Sequence, residues 1–322
     1  VAQNQAYWKY MQGFTPFKLA PYFRTRVWGF NDLSPWYDYK TDGEPIGEVW
    51  LTGEMCTAET GPFTGQSLKD ITASHGEALL GQGRAGQEFP LLVKVLFPKE
   101  KLSVQVHPDD VMAQKYGEPR GKTECWYALD AKPEAEVALG IKQGVTPEQL
   151  HTAIKESRLE ELLACVHVDK GDMIFVDAGT VHAIGPGAVL LETQQTSDLT
   201  YRMYDYGRPR ELHLEKSFEA MRLTTASGKM TPKHVNGHSV LIDQKYFRVE
   251  QWQAAVPTAE NAAADVVQLL FVADGKLLVE GQGFEPFSLD RCQLAVIPAG
   301  ARDWKITPEA TVEVIRILPQ SA

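Results

Sequence analysis

The chain has 322 residues, 43% apolar and 23% charged, with a formal net charge of −10. That size and balance describe an ordinary globular protein of about two domains, with a core that needs no covalent staples. No stretch approaches the ~18 consecutive apolar residues of a membrane span, and the acidic balance without a dense Lys/Arg run excludes a nucleic-acid partner. The opening Val1-Ala2-Gln3-Asn4 lacks the charged-then-apolar layout of a signal peptide, so the expected location is the cytoplasm. Cys56, Cys125, Cys165 and Cys292 lie far apart with no C-x-x-C pair, which reads as buried thiols. An anionic substrate would need a local basic cluster to hold it against the overall field.

Pro16, Phe17, Pro21, Trp28 and Trp36 punctuate the first segment, which reads as irregular structure wrapping a sheet. A short strand follows at Ile46 to Thr52. Ser67-Leu68-Lys69-Asp70 carries a capping signature for a helix running to about Leu80. Leu91 to Phe97 is a nearly continuous apolar run that suits a buried strand. Lys94 interrupts it, either snorkelling out at an edge or pointing into a polar cavity. Leu102 to Val106 alternates as a strand, and Asp109 or Asp110 caps a short helix after it. Gly121 to Leu129 is the next strand. Thr146-Pro147-Glu148-Gln149 is a capping box with Pro at the first helical position, predicting a helix to about Ala164. Strands and turns resume from Val166, with Gly171 to Val176, Gly179 to Ile184 and Ala188 to Gln194. Glu211 to Arg222 is amphipathic and helical in pattern; Thr224 to His238 reads as a linker. Val240 to Leu318 is nearly all short strands, implying a small β-domain. Two places share a strand followed by a Gly turn: Ile174 to Gly179 and Val296 to Gly300.

Two phosphate motifs fail on context. Gly81-Gln82-Gly83-Arg84-Ala85-Gly86 matches G-x-G-x-x-G, but a helix precedes it and a strand follows, leaving the phosphate no helix N-terminus. Gly121-Lys122-Thr123 resembles the end of a P-loop, yet the earlier glycine would fall at Tyr116. A different set carries chemistry. Gln105 and His107 are two apart on a strand and share a face, as do Lys122 and Glu124. His182 follows a Gly turn. Two imidazoles, a carboxylate and an amide at strand positions suit a divalent ion such as Zn²⁺ with room for water or substrate. Taken singly, Glu124 can equally be pairing with Lys122, and His182 capping its turn.

Four ordered motifs carry a resemblance: Val104-Gln105-Val106-His107-Pro108-Asp109, Gly121 to Tyr127, Ala178 to Ile184, and Glu192 to Arg202. With Arg26-Val27-Trp28-Gly29 near the start, the chain resembles the short bacterial form of type I mannose-6-phosphate isomerase, of the cupin superfamily. The segment from Gly171 to His182 is similar to the second metal motif of cupin barrels. The resemblance implies a mainly β fold of two cupin-like jelly-roll barrels, with a helical segment inserted in or beside the first. A catalytic domain is expected over residues 1–235 with a helical insertion around 108–165, and a smaller structural β-domain over 236–322. It further implies one Zn²⁺ per chain on Gln105, His107, Glu124 and His182, with Arg202 as the active-site arginine. The implied reaction interconverts mannose 6-phosphate and fructose 6-phosphate by proton transfer between C1 and C2 through an enediol. A small sugar phosphate is then the only partner expected, and the oligomeric state is left open.

The general base has two candidates, Lys122 beside the metal and Glu192 ten residues before Arg202. Arg202 itself holds its proton too firmly for that role and offers a charged fork to substrate oxygens or phosphate. Lys94 and Ser103 would hold the phosphate or line the pocket. Arg208 and Arg210 either frame the phosphate entrance or form a solvated charge run. His234 and His238 read as surface loop, because Asn236-Gly237 between them breaks a helix. His75, His151, His167 and His213 read as structural. Two other functions compete: a metal-dependent cupin oxygenase, disfavoured because Gln105 replaces the first of its paired histidines, and a non-catalytic sugar-phosphate-binding module.

Overall fold

The structure, a computed structural model, describes residues 14–260 and 265–320, so the Val1–Asn4 opening lies outside it. The apolar runs become strands of antiparallel sheets. In the first half these are β1 (Phe17–Leu19), β2 (Tyr22–Phe30), β3 (Ile46–Trp50), β4 (Leu91–Leu96), β5 (Val104–Val106) and β6 (Glu124–Ala131). They continue with β7 (Glu136–Ile141), β8 (Leu163–His167), β9 (Met173–Val176), β10 (His182–Ile184), β11 (Ala188–Gln195) and β12 (Tyr201–Tyr204). One sheet has the order β9-β6-β11-β4-β3-β2, extended beyond β9 by Gly228–Lys229; the other has the order β12-β5-β10-β7-β8.

These two sheets face each other across an apolar layer that includes Leu96, Trp126, Ile174 and Leu190 from one and Val137 and Ile184 from the other. The second half repeats the arrangement. A seven-stranded sheet built mainly from His238–Asp243, Phe247–Ala254, Gln268–Asp274, Leu294–Ile297 and Val312–Pro319 faces a four-stranded one. Trp252, Leu270 and Val314 meet Leu277, Leu289 and Ile306 between them. A third apolar layer, with Val93, Val95, Tyr127 and Phe175 against Val249, Leu269, Phe271 and Ile317, joins the larger sheets of the two halves back to back. Every residue of β4 is therefore buried, as its continuous apolar run requires, because both faces of its sheet are covered. This is the mainly β, jelly-roll-like architecture the resemblance implies. Among the described residues, no helix is long and apolar enough to cross a membrane.

The helices follow their caps. In α1 (Leu68–Leu80) the Ser67 hydroxyl accepts the Asp70 N–H, in α2 (Asp110–Lys115) Asp109 accepts the Met112 N–H, and in α3 (Pro147–Lys155) the Thr146–Gln149 capping box is complete. The last helix, α4, is Leu214–Ala220. Both α2 and α3 fall within 108–165, with β6 and β7 between them. α3 stops well short of Ala164, since Ser157 takes a positive φ of 58° and the chain leaves through a 3₁₀ turn, Leu159–Leu162, into β8.

Three expectations need correcting. The aromatic opening is extended: β1 pairs with Leu294–Ile297 of the second half and β2 with β3. The stretch read as a linker holds Gly228–Lys229 and Lys233–Val235, and Asn236-Gly237 turns a hairpin rather than a loose loop, placing His234 and His238 on strands. Cys165 is exposed, whereas Cys56, Cys125 and Cys292 are buried.

Gly29 sits where β2 slips register against β3, with Thr25 and Phe30 both opposite Ile46. A Cβ there would fall inside the Ile46 carbonyl. Gly29→Ala is therefore expected to lower stability by about 1–3 kcal/mol, read as a lower urea midpoint at unchanged slope.

Candidate metal centre and active site

Register places the site. Across β6, β11, β4 and β3, Trp126 opposes Glu192, Glu192 opposes Lys94, and Lys94 opposes Trp50, so four side chains form one row on one face. Glu124 opposes Gln194 in the next row. On the facing sheet His182 opposes Gln105, which opposes Arg202, giving a second row across β10, β5 and β12. His107 follows β5 directly and Lys122 precedes β6. Gly179, at a positive φ of 85°, turns the chain into β10 and donates its N–H to the His107 carbonyl at 2.8 Å.

His107, Glu124 and His182 converge, with one ligand atom of each lying within 4.8 Å of the others. His182 Nε2 is 3.4 Å from Glu124 Oε1, and His107 Nε2 is 3.8 Å from Glu124 Oε2. The far nitrogens are fixed: His107 Nδ1 contacts the Leu199 carbonyl at 2.8 Å and His182 Nδ1 the Thr180 carbonyl at 2.9 Å. As N–H donors there, both rings turn an Nε2 lone pair toward the carboxylate. His107 Nε2 and Glu124 Oε1 are buried without a hydrogen-bond partner, and Glu124 Oε2 meets the Lys122 ammonium at 2.8 Å. Buried lone pairs left over on His107 and Glu124, with the His182 imidazole beside them, fit a divalent cation. The Gln105 amide lies beside them, its Nε2 at 3.3 Å from His182 Nε2 and its Oε1 accepting from Ser103 Oγ at 3.2 Å. To act as a ligand the amide must turn its oxygen inward, an exchange of two nearly isosteric ends.

Burial, then the Lys122 charge, pushes His107 well below the usual imidazole range; burial likewise brings His182 down to about 4. Both rings are thus neutral, as ligands must be. Burial raises the Glu124 carboxyl, and the Glu192 charge adds to it. For Glu192 burial alone would act the same way, but Lys122 and Lys94 outweigh it and hold the carboxyl down at about 2. Its Oε2 is 3.0 Å from Lys94 Nζ, its Oε1 3.9 Å from Lys122 Nζ, and the Trp126 indole N–H donates to Oε1 at 3.2 Å. Lys122 also lies 2.8 Å from Glu124 Oε2, and Lys94 3.5 Å from Asp198. Lys94, only 2% exposed, is therefore the inward-pointing lysine of the two alternatives, its ammonium 5.3 Å from the Trp50 ring centre.

A cavity of about 490 Å³ opens onto this cluster, and Lys94, Ser103, Gln105, Lys122, Glu192 and Arg202 all line it. The three converging ligands adjoin it through Gln105 and Lys122. Arg202 is held by its own strand environment: Nη1 donates to the Glu211 carbonyl at 2.9 Å and its backbone N–H to His213 Nδ1 at 3.2 Å. His213, read as merely structural, thus steadies the arginine. Arg210 also lines the cavity, clamped by the buried Asp205 at 2.6 and 2.7 Å, so it frames the entrance. Together with Lys94, Lys122 and Arg202 it supplies the local basic cluster that an acidic chain needs to hold an anion. Sequence reasoning passed over Asp198 and Glu48 on the cavity wall. Glu48 takes a forked pair of hydrogen bonds from Arg26 at 2.8 and 3.0 Å, and its only sequence signal was an acidic residue inside an apolar strand.

Glu192→Gln is expected to cost about 3–5 kcal/mol, because it leaves Lys94 buried without its main partner. Adding Lys94→Met should recover much of that loss. A carboxyl held at about 2 stabilises the fold fully above its unfolded value and loses that contribution as pH falls from about 5 toward 2. Denaturation in acid should accordingly show a shallower pH slope for Glu192→Gln than for wild type.

The chain is similar to known proteins along most of its length. The family model for phosphomannose isomerase type I, catalytic domain, matches residues 17–147. Mannose-6-phosphate isomerase ManA of Bacillus subtilis (strain 168) is 34% identical over 306 residues, covering 90% of this chain and 95% of that protein. The mannose-6-phosphate isomerase of Streptococcus mutans is 32% identical over 316 residues, covering 93% and 97%. The crystal structure of the Bacillus subtilis mannose 6-phosphate isomerase superposes with a TM-score of 0.85 at 32% identity, covering 94% of this chain and 99% of that one. With relatives matched along almost their full length, this chain belongs to the type I phosphomannose isomerase family.

Proposed function

We propose that this chain is a zinc-dependent isomerase that interconverts mannose 6-phosphate and fructose 6-phosphate, moving a proton between C1 and C2 through an enediol. The observation that carries the reading is the convergence of His107, Glu124 and His182, with unpartnered lone pairs on His107 and Glu124, beside a basic cavity. His107, Glu124 and His182 would hold one Zn²⁺, with the Gln105 amide oxygen as fourth ligand. Bound there, the ion would polarise a substrate oxygen or a water that carries the proton.

The remaining residues divide the work. Of the two bases left open by the sequence, Glu192 is the weaker: a carboxyl held at about 2 and engaged by Lys94 and Trp126 has little affinity for a proton. Its role is to hold the two lysines in place. Lys122 faces the cavity, and with Glu124 given over to the ion its neutral amine would take the proton from one substrate carbon and return it to the other. Arg202 and Arg210 offer planar guanidiniums at the cavity wall and are suited to the phosphate, whose binding energy orients the small reacting end. Lys94 lies between Glu192 and Asp198, so its charge is largely spent within the wall, and Ser103 contributes through its bond to Gln105.

Wild type should form fructose 6-phosphate from mannose 6-phosphate with about one zinc per chain, both lost together to a chelator. Lys122→Met should keep its zinc while kcat falls by about 10²–10⁴-fold. Zinc-loaded wild type without isomerisation would overturn the reading.

A further inference from the structure

We infer that Tyr246, from the second half of the chain, is a positioning residue for this site, acting through Asp110 on the segment that carries Lys122 and Glu124. The inference rests on the metal-dependent reading above. Asp110 opens α2, three residues beyond His107. Its Oδ1 accepts the Gly121 N–H at 2.9 Å and Gln195 Nε2 at 3.0 Å, and its Oδ2 accepts the Tyr246 hydroxyl at 2.6 Å. Gln195 in turn accepts the Thr123 N–H at 2.9 Å on its Oε1, and its own N–H donates to the Thr123 carbonyl at 3.2 Å. The Lys122 N–H goes to the Pro108 carbonyl at 3.0 Å. Every backbone N–H from Gly121 to Thr123 is thus tied, two of them through the Asp110–Gln195 pair. The neighbouring Asp109 pairs with Arg222, whose backbone N–H donates to the Gly179 carbonyl at 2.8 Å in the turn before His182.

Tyr246 stands in the tight turn between His238–Asp243 and Phe247–Ala254, anchored by its carbonyl to the Gln320 N–H at 3.0 Å and packed on the core between the halves. Burial, then the Asp110 bond, pushes its phenol up, so it remains a donor at neutral pH. A carboxylate at the surface edge of a site can rotate unless both oxygens are engaged. Tyr246 hydrogen-bonds the second one, with Lys245 Nζ donating to the Tyr246 hydroxyl at 3.0 Å and lying 3.7 Å from the same oxygen, and so fixes the first on Gly121 and Gln195. The second half, expected to be structural, thereby reaches the chemistry through the Tyr246 hydroxyl.

The test compares three variants of the full chain. Tyr246→Phe should weaken zinc binding, measured by titration against a competing chelator without substrate, by about three- to tenfold, and Asp110→Ala by about 10–100-fold, the range seen when an outer partner of a metal ligand is lost. In zinc-saturated enzyme kcat should fall in the same order, while KM for mannose 6-phosphate stays within about twofold because Arg202 and Arg210 are not tied to Asp110. Tyr127→Phe is the control. It removes another hydroxyl between the halves, bonded to Glu313 at 2.5 Å and Gln251 at 2.9 Å, away from the cavity. It should lower the melting temperature with zinc affinity and kcat unchanged. If Tyr246→Phe and Asp110→Ala keep wild-type zinc affinity and kcat, or change them no more than Tyr127→Phe does, the inference falls. Wild type that binds zinc without isomerising counts against the functional reading alone, and the affinities still decide the positioning role.

Discussion

Two lysines are buried inside the first sandwich with the Glu192 carboxylate between them, the main partner of Lys94 and a second partner of Lys122 after Glu124. It lies 3.0 Å from Lys94 and 3.9 Å from Lys122, with the Trp126 N–H as a further donor. Without that charge the Lys94 ammonium would face a desolvation penalty of several kcal/mol. With it, Lys122 is left free to meet Glu124 as well, at 2.8 Å, and so to stand between a structural carboxylate and a candidate metal ligand. The chain places all of this by strand register. A slip of one residue between β11 and β4 would turn Glu192 toward the apolar layer between the halves and leave Lys94 without its main partner. The balance of charge thus acts as a lock on the register that creates the site.

Much of the site was legible as pairs. Gln105 with His107 and Lys122 with Glu124 are two apart on strands, and period two alone puts each pair on one face. Caps were legible too, because Ser67, Asp109 and Thr146 bond locally. What could not be read was which strand lies beside which. Lys94 stayed ambiguous because only its cross-strand neighbours, Glu192 and Trp50, decide whether it points in or out. Arg210 and His213 matter through contacts that join separate elements, which spacing does not encode. The first segment was misread for a related reason: Pro16 and Pro21 suggest irregular chain, yet they flank β1, a short strand that pairs with the second half.

The two halves share the turn that the sequence repeats. Gly179 and Gly300 both take positive φ, 85° and 79°, after a buried strand. In the first half His182 follows three residues on, whereas Asp303 takes the matching place in the second. The second sandwich also buries a carboxylate, Glu250, but Arg316 and Arg248 engage it at 2.5–2.7 Å. A carboxylate held by three arginine N–H bonds has little left to offer a metal. Glu124, with Lys122 on Oε2, keeps Oε1 open toward His182. The same architecture therefore presents one carboxylate engaged by two arginines, with His238 Nε2 3.6 Å away, and one that two imidazoles and a lysine face.

The most direct test of the central claim is anomalous diffraction at the zinc edge from crystals of the zinc-loaded protein. A single strong peak is expected between the two rows, with His107 Nε2 and His182 Nε2 at about 2.0–2.1 Å, the Glu124 carboxylate as third ligand, and the Gln105 amide turned to present its oxygen. A peak elsewhere on the molecule, or an ion between the rows that Glu124 does not touch, would contradict that claim.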